Sequence, residues 1–570
     1  MKATLAAAGP TVRAAARAED ELTSAAPHLM PAFAAQLARA ADVVTRRLVG
    51  AAAREGVAGQ VEWDGDRAFL PLRDGGFLVA TASRHAFGRA EVAQPLELDP
   101  AELVRRIAGD TPEADALGAE LSDAVVGLAL AYARADGVRN PAPGGGDSID
   151  RIVDLPADAA CLALEQLATE GHNLHPCGRT RLGWSMADRL AYDLESPGLD
   201  VRYVALHKDF HLGDDVGPEV PGVDRSRYVV TPVHPWQWEQ VIRRRYADLV
   251  RDGAIRPLDL TTPGQPTAAL RTVLTGQTYL KLSLDILVTS TRRSISVAST
   301  RNARAISDRL TQLLDQTGLS ERVLLMTETA GSAGIVSGRR DRDLAAIVRS
   351  GLSTHLGPGE VPVPGGALCA VSPETGRSVV AELVDRYAST RALPGRSAAA
   401  AFLVDYANLL LEPVLTLAGH GVGLEAHLQN CVPTFVDGVP QRLGLRDLAG
   451  LRLHLPRLAN PPTLWPGSVV VSDLDTMLAK VAYTALQAHL GELVIRLGES
   501  HDLPEPAAWA TIRSVVDQVF DSLAARPTAR ADHAFFTGPT LPHKALLSMR
   551  LAALRGQAGD LYVRVENPLR

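Results

Sequence analysis

Two stretches rich in glycine and proline, NPAPGGGD at 140–147 and LGPGEVPVPGG at 356–366, interrupt this chain and limit what it can fold into. Proline lacks an amide donor and glycine loses the most entropy on ordering, so neither stretch can continue a helix or a central strand. Each break is either a domain boundary or a long loop within one domain. Three regions follow: 1–150, 151–366 and 367–570. At 570 residues the chain has room for roughly two to four domains.

Residues 1–60 are alanine-rich with helical spacing, and 61–107 read as short strands joined by turns such as Asp74-Gly75. A helix is predicted over 157–169, and strands over 201–206, 228–233 and 323–327. The run 279–290 alternates apolar and polar residues and predicts one long strand. Residues 398–418 predict an apolar helix ending at Gly419. Residues 431–445 predict a hairpin turning at Asp437-Gly438, and the remainder reads as mostly helical. This order predicts a mixed α/β (α+β) architecture.

The net charge of 58 − 65 = −7 argues against general nucleic-acid binding, so an anion site must come from local clustering. Only five lysines occur, Lys2, Lys208, Lys281, Lys480 and Lys544, so nearly all cationic charge is arginine. Cys161, Cys177, Cys369 and Cys431 are dispersed, which disfavours a disulfide framework, a structural zinc or an iron–sulfur cluster. No signal-peptide core and no apolar run of membrane-spanning length is read. A cytoplasmic protein without membrane or nucleic-acid partners is expected.

Three constellations carry chemistry. The first is EGHNLHPCGRTRLGW at 170–184, where His172, His175, Arg179 and Arg181 crowd together with no acid after Glu170. Such a piece suits a phosphate or carboxylate. Its histidines suit zinc equally if a third ligand joins, or simple local packing. The second is 281–307, where Lys281, Arg292, Arg293, Arg301 and Arg304 alternate with Ser290, Thr291, Ser294, Ser296, Ser299, Thr300 and Ser307. Hydroxyls with guanidinium forks bind phosphates and carboxylates together, though a solvated edge strand carries the same residues. The third is EAHLQN at 425–430 with Arg446-Asp447 beyond the hairpin. If extended, Glu425, His427 and Gln429 share one face. Asp447 offers a hard oxygen to Mg²⁺. The phosphate loop, the dinucleotide fingerprint, the nucleophile elbow and the HExxH zinc helix are all absent.

In order, these segments resemble the IucA/IucC family of siderophore synthetases that work without a nonribosomal peptide template. The family pattern G-H-x-x-H-P-x-x-K-x-R-x-G resembles 171–183, with Arg179 in the lysine position. V-H-P-W-Q matches 233–237, K-x-S…T-S-x-x-R followed by I-S matches 281–307, and E-x-H-x-Q-N with a later R-D matches 425–430 and 446–447. R-L…N-P resembles Arg550-Leu551 and Asn567-Pro568. Asn173 replaces a frequent proline, and 302–304 departs from a frequent Asn-Gly-x. Residues 1–150 carry no family motif.

The resemblance implies a cupped-hand fold of thumb, fingers and palm, with ATP in the palm. It implies adenylation of a carboxylic acid, citrate or a derivative, then condensation with an amine or alcohol, with Mg²⁺ assisting. It implies His172, Arg181, Ser290, Thr291, Arg292, Arg304, Gln429, Asn430 and Asp447 as ATP contacts. Arg292, His427 and Arg304 would be catalytic, and Lys281, Ser290, Arg292 and His427 would hold the acid. Glu425 and Asp447 would hold Mg²⁺, and a homodimer is compatible with the family. A reductase-like iron-handling protein and a zinc hydrolase using His172, His175 and His427 are the competing readings.

Overall fold

The computed structural model describes residues 9–138, 146–289, 291–336, 339–467, 469–557 and 559–570. The alanine-rich N-terminal segments form helices Pro10–Ala25 and Met30–Glu55, each with proline in its first turn, where a missing amide costs nothing. A four-stranded meander follows: Glu62–Asp64, Arg67–Pro71, Phe77–His85 and Arg89–Val92. The strands predicted here stop earlier than expected. Asp99 caps a helix, Pro100–Ala108, by accepting from the Ala101 amide, and Pro112–Val138 follows.

The N-terminal core is not closed by its own region. Leu547 and Leu551, from helix Leu546–Leu554 near the other end of the chain, complete it. Glu55 accepts from the Leu547 and Ser548 amides at 2.9 and 2.7 Å, and Arg550 forms a buried two-oxygen pair with Glu120. Thus the break at 140–147, whose residues 140–145 lie outside the described set, does not separate independent cores.

The centre is an eight-stranded antiparallel sheet. Its order is His211–Gly213, Glu328–Val336, Arg339–Ser350, Thr278–Leu282, Thr272–Thr275, Ile255–Pro266, Leu199–His207 and Tyr228–Val233. The run 279–290 is not one strand. The chain leaves the sheet after Leu282, and Leu287–Val288 pairs instead with Thr291–Arg292. The alternation misleads because its two halves fill different cores. Leu280 and Leu282 pack with Val201 and Val273, whereas Leu284, Ile286 and Val288 pack with Trp184 and Trp236.

In the C-terminal part, helix Gly395–Gly419 lies in the largest core, where Phe402, Tyr406 and Phe435 stack. The hairpin Cys431–Val436/Val439–Leu445 turns at Asp437 (φ 48°) and Gly438 (φ 79°), both left-handed as a tight two-residue turn requires. Helix Leu474–Val481 runs into a π-helical segment, Ala482–Leu490, and then Gly491–His501. The antiparallel pair Thr540–Lys544/Tyr562–Glu566 was not foreseen in a stretch read as helical. Pro112–Ala135 and Gly395–Gly419 are long and apolar enough to cross a membrane, contrary to the sequence expectation. Their apolar windows are 83% and 67% buried inside the protein, as core helices are.

Candidate active site

The loop 171–183 is braced on several sides. At Gly171 (φ 69°) a Cβ would lie 2.8 Å from the Gly178 carbonyl, so the turn needs glycine. Arg47 and Tyr132 hold Glu170 at 2.6 Å each, and Asn173 donates to Glu492 at 3.0 Å. Arg179 forks onto both oxygens of Glu195 at 2.7 and 2.8 Å. Arg181 donates to Asp193 at 3.2 Å and to the Thr180 carbonyl at 2.9 Å. Both arginines are buried braces, so Arg181 is not brought to the cleft as a nucleotide contact. His175 is buried, accepts from the Cys177 amide at 3.0 Å, and burial pushes its pKa down to about 3.

His172 differs. Its Nδ1 accepts from the Leu174 amide at 3.1 Å, which leaves Nε2 to carry the proton of the neutral ring. The side chain is open to solvent, yet protein surrounds it on most sides, as at the floor of a cleft. That enclosure, then the charges of His175, His427, Arg47 and Arg293, holds its pKa well below the ordinary histidine value. Water in the open cleft moderates the effect.

The opposite wall is 425–430. Three of its carbonyls are clamped: Asn430 Nδ2 donates to Glu425 O (3.1 Å), His489 Nδ1 to Ala426 O (3.0 Å) and Arg446 Nε to Gln429 O (2.8 Å). The clamps are themselves held. Tyr406 donates its hydroxyl to His489 Nε2 at 2.7 Å, and Arg446 pairs with buried Glu165 at 2.6 Å. Asn430 is therefore a backbone brace. Residues 428–430 form a 3₁₀ turn, so the shared face expected for Glu425, His427 and Gln429 ends at His427. Burial lowers the His427 pKa, with Lys480 adding to the effect and Glu425 opposing it.

Between these walls lies a cationic floor. Fully buried Lys281 pairs with Asp447, which also faces Arg349 at 3.9 Å. Burial alone would raise the Asp447 pKa, but Lys281, Arg349 and Arg271 outweigh it and hold the carboxyl well below the usual range. Arg271 donates to the Arg293 and Ser294 carbonyls at 3.1 Å each. Arg293 is the unusual member. Its buried Nε has no hydrogen-bond partner, and its guanidinium makes no ion pair among the described residues. Burial, then Arg271 and Arg181, pushes its pKa down to about 10. The charges acting on it include Asp447 and Glu425, and it acts in turn on His172.

Arg292 points elsewhere. Its side chain is 65% exposed and pairs with Asp285 at 2.6 Å. Arg304 is 71% exposed, 3.8 Å from Asp308 on the outer face of helix Val297–Thr317. The structure thus gathers His172, Lys281, Glu425, His427 and Asp447, and leaves Arg292, Arg304 and Arg181 outside. Ser290 and the side chain of Thr291 lie outside the described residues. Arg293 was missed as a site residue although T-S-x-x-R, laid on 289–293, places its arginine there.

His234, Trp236 and Gln237 of the V-H-P-W-Q segment are buried braces; Gln237 accepts from the Asp285 amide at 2.8 Å. Among the described residues no three His, Cys, Asp or Glu side chains group as a metal centre. A separate cavity of about 480 Å³, between Arg17, Ser122 and Trp184, holds none of the cleft residues.

Comparison with known proteins places the chain among siderophore-synthesis relatives. Residues 160–370 match the IucA/IucC family, and residues 400–559 match the ferric iron reductase FhuF-like transporter family. A D-ornithine–citrate ligase of Staphylococcus aureus is 26% identical over 464 residues, covering 72% of this chain and 70% of that protein. A citryl-spermidine/3,4-dihydroxybenzoyl-citryl-spermidine:spermidine ligase of Bacillus anthracis is 28% identical over 63% of this chain and 64% of its own length. The crystal structure of the petrobactin biosynthesis protein AsbB from Bacillus anthracis superposes with a TM-score of 0.81 at 20% identity, over 95% of this chain and 97% of that one.

Proposed function

We infer that this chain, a member of the IucA/IucC family through residues 160–370, is an AMP-forming ligase of siderophore biosynthesis that activates a polycarboxylic acid with ATP and joins it to an amine or alcohol. The observation that carries this reading is the convergence on one open cleft of Arg293, whose buried Nε has no hydrogen-bond partner among the described residues, with two histidines whose pKa values are lowered, His172 and His427.

A carboxylate oxygen attacks the α-phosphorus of ATP, and the bond to the bridging oxygen breaks as pyrophosphate leaves. The acceptor nitrogen or oxygen then attacks the acyl carbon, its proton passes to a base, and AMP departs with the former carboxylate oxygen. The first step gathers negative charge on phosphate oxygens. A donor held in place, partly desolvated and without an ion-pair partner, stabilises that charge with little reorganisation. Arg293 meets this requirement, and His172 Nε2–H adds a neutral donor. Neutral His427 is the base for the second step. Lys281 and Arg271 provide the positive floor for the acid.

Mg²⁺ takes one or two protein carboxylates along with substrate phosphates. Asp447 is already neutralised by Lys281, Arg349 and Arg271, whereas Glu425 has Lys480 as its ion-pair partner, so Glu425 is the better ligand of the two. The residues fit an ion that arrives on the nucleotide, where it would spread the charge of the leaving pyrophosphate.

The match at 400–559 raises a reductase-like reading. That region contains one cysteine, Cys431, which is buried and whose pKa burial pushes far above the ordinary thiol value. A protonated lone thiol cannot hold an iron–sulfur cluster. All four cysteines are free thiols. Pyrophosphate release that requires both ATP and a polycarboxylic acid tests the reading. Folded protein that releases none across a broad acid panel contradicts it.

A further inference from the structure

We propose that the corner of the cleft formed by Glu425, Arg452, Lys480, Lys544 and Asp560 seats a zwitterionic acceptor: an amine that carries its own carboxylate. The proposal rests on the ligase reading and names the acceptor class that the family match leaves open.

Five charges from separate segments meet there. Lys480, at the end of helix Leu474–Val481, contacts Glu425 Oε1 at 2.9 Å. Lys544, at the end of strand Thr540–Lys544, contacts Asp560 Oδ1 at 3.0 Å. Arg452 approaches the other Asp560 oxygen at 3.8 Å while donating to the Gly450 and Leu451 carbonyls at 3.1 Å. The two sets act on each other: the charges felt by Lys480 include Arg452 and Lys544 as well as Glu425. Solvent reaches the corner, since the side chains of Glu425, Lys544 and Asp560 are 24%, 22% and 30% exposed. Glu425 also acts on His427, so the corner adjoins the proposed base.

The lysines add a second argument. This chain uses arginine nearly everywhere, yet three of its five lysines, Lys281, Lys480 and Lys544, stand in this cleft. Lysine offers a compact, movable point charge rather than a rigid fork, which suits exchange of a protein partner for a ligand carboxylate. With three cations against two carboxylates, the corner carries one uncompensated positive charge for a ligand carboxylate, while Glu425 and Asp560 offer oxygens to an ammonium. A polyamine, with only positive charge, would leave the cations uncompensated and meet repulsion from Lys480 and Lys544. An amino acid supplies both signs. Its side-chain or α-amine, once neutral, attacks the acyl carbon, the carbon–oxygen bond to AMP breaks, and the released proton goes to His427.

The test uses the intact protein, ATP and an acid that supports pyrophosphate release. Acceptors are offered in pairs differing only by a carboxylate: ornithine and putrescine, 2,3-diaminopropionate and ethylenediamine, lysine and cadaverine, serine and ethanolamine. Hydroxylamine, which traps the acyl-adenylate without any carboxylate, is run beside them. The proposal predicts kcat/KM at least about 10-fold higher for the carboxylate-bearing member of the reactive pair. Lys544→Gln should move that ratio toward one, mainly through KM. Equal or better turnover of the decarboxylated amines overturns the proposal. So does hydroxamate formation with no turnover of any carboxylate-bearing acceptor, or a ratio unmoved by both Lys544→Gln and Lys480→Gln. Absence of hydroxamate as well would strike the ligase reading itself.

Discussion

Arg292 and Arg293 are neighbours in sequence and opposites in the structure, which makes them a sharp test. Arg293→Ala removes a cleft guanidinium whose buried Nε has no hydrogen-bond partner and which makes no ion pair among the described residues. Loss of a preorganised donor aimed at developing charge costs about 10²–10³ in kcat, on the order of 3–4 kcal/mol. Arg292→Ala removes a 65% exposed side chain from a surface pair with Asp285. Such pairs contribute about 0–1 kcal/mol, so the rate should change less than about 5-fold. Stability should move the other way from activity. Depression of the Arg293 pKa from 12.5 to about 10 corresponds to at most about 3 kcal/mol of unfavourable burial, reduced to about 1 by solvent access. Arg293→Ala should therefore unfold at the same temperature as wild type or higher while losing pyrophosphate release. Coupled pyrophosphate detection and a thermal melt read both. Near-normal turnover of Arg293→Ala, or a large loss in Arg292→Ala with an unchanged melt, would refute the assignment.

Further expectations concern the supports and the pH response. Glu165→Ala strands the buried Arg446 guanidinium that holds the Gln429 carbonyl, and should lower stability by about 3–5 kcal/mol in urea unfolding. Gly450→Ala would place a Cβ 1.7 Å from Glu425 Oε2, so a cut in acceptor turnover beyond that in hydroxamate trapping is expected by parallel assay. His175, His234 and His489 are buried with pKa values pushed down to about 3, 3 and 4. The unfolded chain then binds up to three more protons once the pH is below the ordinary value of about 6.5. Stability is fully present above that value and should fall by up to about 4 kcal/mol per unit as pH drops toward 4, measured by urea midpoints. Pyrophosphate release should inflect below pH 6.5 and not at it, because the pKa values of His172 and His427 are lowered from the ordinary histidine value.

Much of the local structure was legible. The hairpin at 431–445, the strand Tyr228–Val233 and the helix Gly395–Gly419 follow from turn chemistry and periodicity, which act over a few residues. The strand break after Leu282 was not legible, because alternation says that residues are buried and not in which core. The site was readable as segments but not as directions. Arg179 and Arg181 resemble an anion cluster until Asp193 and Glu195, more than ten residues away, claim them. Arg292 ends the two-residue strand paired with 287–288 and Arg293 is the first residue beyond it, so adjacent arginines differ in direction through a pairing that the sequence does not announce. The clamps from His489, Tyr406 and Glu165 depend on contacts across 60 to more than 250 residues and left no local mark.

The central claim is attack of a carboxylate on the α-phosphorus in this cleft, and isotope transfer tests it most directly. With the reactive acid labelled by ¹⁸O in its carboxylates, mass spectrometry of the nucleotide product after complete turnover should show AMP carrying one ¹⁸O. Unlabelled AMP, or ADP with the label in inorganic phosphate, would contradict the account.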